Sequence, residues 1–148
     1  MDKSQLLDEL RLEVGTVPDF ANTLTDFYNG IVQKLARPME TNFAVSIYEA
    51  GESAFYRIAS VGLAPFSFKV QFGKGLLSLT AIRGKLQIVQ NQYRQTVVSP
   101  YYEGHHLIGQ LVVSIPIAEY VISEEDVIFL KEVTRFIEVN KKRYQALL

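Results

Sequence analysis

The 148-residue chain contains no cysteine and no tryptophan. Without cysteine there can be no disulfide framework, thiol nucleophile, Cys-ligated zinc, iron–sulfur cluster or thioether-linked chromophore. No apolar run approaches the roughly 18 residues of a membrane-spanning helix, so no membrane partner is expected. Met1-Asp2-Lys3-Ser4 leads into a polar amphipathic segment and not a secretory signal, which makes a cytoplasmic setting the expectation. Internal repeats, low-complexity tracts and Ser/Gly/Pro linkers are also missing, leaving a single domain over 1–148. Acids are missing from a long middle stretch. Between Glu52 and Glu103 there is no Asp or Glu, yet the stretch holds Arg57, Lys69, Lys74, Arg83, Lys85 and Arg94. Strands are poor in acids anyway, but that does not account for the bases, so the middle of the fold should carry a positive local field. The termini compensate, and a net charge of −1 gives the whole chain no bias toward nucleic acid.

What is present reads as an ordinary globular chain, 48% hydrophobic and 21% charged. Leu6, Leu7, Leu10 and Val14 lie at helical spacing, with Gly15 at the expected cap, so 1–16 reads as an N-terminal helix. Pro18-Asp19 opens a second helix through Phe20, Leu24, Phe27, Tyr28, Ile31 and Leu35, stopped by Arg37-Pro38. A hairpin follows over Asn42–Ala50 and Phe55–Val61, turning at Gly51-Glu52-Ser53. Phe66–Phe72 alternates without error, predicting a strand with four large apolar residues facing inward. Gly73-Lys74-Gly75 leads into a short helix stopped by Gly84, then a strand over Lys85–Gln90. A second hairpin joins Thr96–Tyr102 to Leu107–Ile115, and Ser123 with Glu124-Glu125-Asp126 starts a long final helix. The order predicts an α+β fold: a central, mostly antiparallel sheet of about six strands with helices on both faces.

Over about 19–144 these residues resemble a GAF domain, a small-molecule sensor module of bacterial regulators, in a GAF/PAS-like architecture. Phe72-Gly73-Lys74-Gly75-Leu76 through Arg83-Gly84-Lys85-Leu86 is similar to the family's Gly-x-Gly lead into its pocket helix and the turn that follows it. Val97–Gly104 with Leu107–Val113 resembles its penultimate hairpin, and 121–126 the start of its last helix. Two departures stand out. Only Asn91-Gln92-Tyr93-Arg94-Gln95 separates the candidate strands where ligand-binding members carry a long lid, and the Asn-Lys…Phe…Asp-Glu signature of cyclic-nucleotide binders is not present in order. Bilin attachment and the free methionine sulfoxide reductase activity known in this fold both need cysteine.

The resemblance implies a stand-alone sensory or regulatory domain that binds a small ligand, anionic or not, against the Gly75–Arg83 helix. The expected ligand-binding set is Phe72, Lys74, Gly75, Leu76, Tyr93 and Arg94. Lys74 at a helix start and a bidentate Arg94 are the groups that would meet an anion. Signalling would run through the terminal helices to a second copy or a regulatory partner protein, with Leu6, Leu10, Ile128 and Phe136 expected at a homodimer interface. His105-His106 point to opposite faces of a hairpin, so no metal site is expected. No cofactor, catalytic residue or catalysis of the chain's own is expected, since Ser99 lacks a nucleophile context. The competing reading is a ligand-free dimerisation or protein-interaction scaffold with its pocket packed shut.

Overall fold

The computed structural model describes residues 2–39 and 42–145. Five helices and six strands follow in the order α1 (Lys3–Gly15), α2 (Val17–Phe20), α3 (Leu24–Ala36), β1 (Ala44–Ala50), β2 (Ala54–Val61), β3 (Lys69–Gln71), α4 (Gly75–Arg83), β4 (Gln87–Gln90), β5 (Arg94–Glu103), β6 (His106–Pro116) and α5 (Glu124–Gln145). All strand pairs are antiparallel, and the sheet runs β3-β2-β1-β6-β5-β4. The expected α+β layering with helices on both faces is therefore what the chain adopts.

Strand alternation sorts the core into two layers. Val45, Ile47, Val97, Tyr101, Leu111, Val113 and Ile115 face α1, α3 and α5, and this layer includes Leu7, Leu10, Val14, Phe27, Ile31 and Ile137. On the opposite face Tyr48, Phe55, Val98 and Val112 meet Leu77 of α4. The terminal helices are tied together at one end by Asp126. Its carboxylate accepts from Lys3 Nζ (2.8 Å), the Ser123 N–H (2.8 Å) and the Tyr120 hydroxyl.

Three expectations are corrected. Gly15 does not cap α1; it is the last helical residue, and Thr16 closes the helix with ordinary αR geometry. The helix expected from Pro18 onward is two pieces, because Thr23 Oγ1 accepts the Asp26 N–H and restarts the chain as α3. The alternating phenylalanine segment forms only a three-residue edge strand. Phe68 is 59% exposed, with the Arg57 guanidinium 5.9 Å from its ring centroid, and Phe72 is exposed too. Phe66 turns inward against Tyr48, and Phe72 sets its ring edge-to-face on the buried Phe55 at 4.8 Å while keeping its outer side exposed.

Candidate functional site

The turn from β3 into α4 is built on Gly73 (φ 91°) and Gly75 (φ 70°), backbone that L side chains rarely adopt. Lys74 stands between them as the N-cap residue of α4, exposed, with no side chain capping the helix. The Gly73 N–H instead donates to Ser78 Oγ at 2.8 Å. At the other end Gly84 (φ 68°) stops the helix as the sequence predicts. Beside this turn a groove of about 380 Å³ opens between α4 and the sheet, lined by Phe55, Phe72, Gly73, Ser78, Ala81 and Leu107 among others. Its walls are apolar. The unsatisfied first-turn N–H groups of α4 give its mouth a positive partial charge.

Behind α4 the same sheet face is unusually polar. Gln110, fully buried, donates from Nε2 to the Leu77 carbonyl at 2.8 Å, while its Oε1 has no hydrogen-bond partner. Ser46, 1% exposed, also leaves its hydroxyl unpartnered. The Tyr48 hydroxyl donates to the carbonyls of Phe66 and Ser67 at 3.0 Å each, pinning the loop that crosses this face. Burial pushes that phenol's pKa up, and the neighbouring Arg57 partly opposes the shift.

The expected ligand-binding residues are not brought to one place. Phe72 lines the groove, Lys74 and Gly75 sit at the start of α4, and Leu76 packs half-buried against the core beneath α4. Arg94 lies on the same sheet face but at its far end, four residues along β5 from Val98, which meets α4, a separation of about 13 Å. There Nε donates to Ser114 Oγ (2.8 Å), and Nη2 to the carbonyls of Asn42 (2.6 Å) and Ser114 (3.0 Å). It staples the start of β1 to β6 rather than overhanging α4. Tyr93 is exposed in the turn, its N–H held by Asn91 Oδ1. Of the expected dimer residues, Leu10 is corrected: at 4% exposure it belongs to the protomer's own core. Leu6 and Phe136 are half-buried against that core, and Ile128 is exposed.

Gln110, Ser46 and Ser78 were missed. Gln110 and Ser114 interrupt the apolar run of β6 on one face only, which is the signal that could have found that polar strip. None of the six middle bases lies within 4.0 Å of a described carboxylate. Among the described residues no group of three or more His, Asp or Glu could hold a metal ion. No helix among them is long and apolar enough to cross a membrane.

No protein-family model matches this sequence, and no curated protein sequence matches it. Solved structures do. The GAF domain of a phosphoenolpyruvate-protein phosphotransferase from Acinetobacter superposes with a TM-score of 0.78 at 23% identity, covering 100% of this chain and 98% of its own. Its counterpart from Coxiella burnetii gives 0.79 at 16% identity, covering 99% and 100%. The free methionine-R-sulfoxide reductase from Neisseria meningitidis, solved with its substrate, gives 0.86 at 16% identity, covering 100% and 95%. The chain has the GAF fold. The expectation of a chain without catalysis is corrected by the third neighbour: enzymes share this fold over its whole length, so the architecture does not set this chain apart from them.

Proposed function

We propose that this chain is a sensory or regulatory domain of the GAF type, taking up a small ligand in the groove beside α4 and conveying its occupancy to the terminal helices. The groove is the observation that carries the reading. Its volume of about 380 Å³ lies within the usual range for small-molecule sites. The ligand has an apolar body against Phe55, Phe72 and Ala81. A carboxylate or phosphate on it would reach the uncapped start of α4, where Lys74 and the N–H groups after Gly75 gather. The Neisseria neighbour, solved in complex with its substrate, supports a fold that receives small molecules. Strand β5 supports the coupling. Val98 contacts the α4 layer, while Ser99 Oγ lies 3.2 Å from Thr134 Oγ1 and the Tyr102 N–H donates to Glu138, both on α5. The output surface is the exposed flank of α1 and α5, including Leu12, Ile128 and Val139, offered to a regulatory partner.

Thermal unfolding with a panel of small carboxylates and phosphate esters tests this. A ligand at about one hundred times its Kd stabilises the fold by roughly 2.7 kcal/mol, a shift of several degrees. Ala81→Phe, which fills the groove, should abolish the shift, and Lys74→Ala should weaken an anionic ligand about two- to five-fold. A flat response across the panel would leave the ligand-free scaffold as the better reading.

A further inference from the structure

The two edges of the sheet differ. Edge strand β3 is three residues long, presents Lys69 over the Tyr56 ring at 5.8 Å, and is flanked by Phe68 under Arg57. Short length and charge are the usual protections of an edge. Edge strand β4, Gln87-Ile88-Val89-Gln90, has neither charge nor proline. Its two central side chains are about half exposed, Ile88 at 45% and Val89 at 50%, one toward each face of the sheet.

The hydrogen-bond pattern shows which backbone groups β4 leaves open. Asn91 N–H donates to the Arg94 carbonyl at 3.0 Å, making that pair a hydrogen-bonded one. Alternation along the ladder then turns Val89 and Gln87 toward β5, and the N–H and C=O of Ile88 and Gln90 away from it. We propose that this open edge receives the same edge of a second copy, β4 against β4 in antiparallel register, about a two-fold axis at Val89. Facing residues of an antiparallel pair share a sheet face, which restricts a self-pairing axis to one residue and not the bond between two. An axis at Val89 sets Ile88 against Gln90 of the second copy and Gln90 against its Ile88, satisfying all the outward groups of the strand with four hydrogen bonds. An axis at Ile88 would instead call on Leu86, whose carbonyl already accepts from Gln87 Nε2 at 3.1 Å. The chosen register opposes no like charges: Lys85 falls opposite Tyr93 of the second copy, and Gln87 opposite Asn91. Valine meets valine at the axis. A charged peptide gains no counter-ion within this strand, so the uncharged, self-matching edge favours a second copy over a foreign one.

The test exploits the missing cysteines. At a non-hydrogen-bonded antiparallel pair the Cα atoms lie about 4.5 Å apart, within disulfide range. Val89→Cys in the full chain, under mild oxidation at micromolar concentration, should form a covalent dimer within minutes, while Ile128→Cys on α5 should not. Sedimentation of the unmodified chain should show a concentration-dependent dimer that Val89→Lys weakens at least ten-fold without changing its circular dichroism, and that Ile128→Lys leaves intact. A chain that stays monomeric to millimolar concentration overturns the proposal. So does preferential cross-linking through Ile128→Cys, or a dimer that survives Val89→Lys.

Discussion

Gly109 occupies a buried place in β6 where any side chain would strike the Tyr101 hydroxyl and the Tyr48 carbonyl. Here the absence of a Cβ, and not left-handed backbone, is what the site requires. Gly109→Ala should therefore destabilise the protein by about 1–3 kcal/mol, as overpacking of a tight core does, read as a lower urea midpoint at unchanged m-value. Arg94 illustrates the same dependence on distant neighbours. Its number places it in a turn, but its side chain is spent on the carbonyl of Asn42, 52 residues earlier in the chain. No local pattern announces such a contact. Lys74 is the opposite case: the flanking glycines and the following apolar turn fix its position at the start of α4 from sequence alone.

Elements defined by their own periodicity were legible. The β5–β6 hairpin, the α4 stop at Gly84 and the start of α5 after Ser123 all follow from alternation, glycine and capping chemistry. Phe66–Phe72 shows the limit, since alternation says that a segment can be a strand and not how many neighbours it will have. With one partner, β3 shrinks to three residues, and the flanking Phe68 and Phe72 stay exposed. The α2–α3 break is similar: Phe20 and Leu24 keep helical spacing across it, and the Thr23 cap decides otherwise. At one end α1 and α5 are held by Asp126, and farther along by the Arg11–Glu132 ion pair at 2.7 Å. Asp126→Ala would take the carboxylate partner from Lys3, which keeps the Val121 carbonyl and the Ser123 hydroxyl, and leave the Tyr120 hydroxyl without its acceptor, costing about 1–3 kcal/mol. The loss should be local, so amide exchange should accelerate in α1 more than in α3.

For the whole molecule, tyrosine burial sets an alkaline limit. Burial foremost raises the pKa of Tyr28, Tyr101 and Tyr120, and the nearby Glu49 adds to the effect at Tyr28 and Tyr101. Their folded pKa values lie above the unfolded value of about 10. The folded protein thus keeps protons that the unfolded chain sheds, and stability must fall as pH rises beyond about 10. Phenolate absorbance followed against pH should show these tyrosines ionising only as the protein unfolds, in step with the loss of circular dichroism.

An unguarded β4 beside a guarded β3 has a consequence for stoichiometry. Head-to-tail joining of β3 to β4 would add subunits without end, whereas the proposed pairing of β4 with β4 would consume the one unguarded margin of each protomer. Under the proposed pairing growth would stop at two, and an open sheet border would not lead to fibres because the other border is guarded.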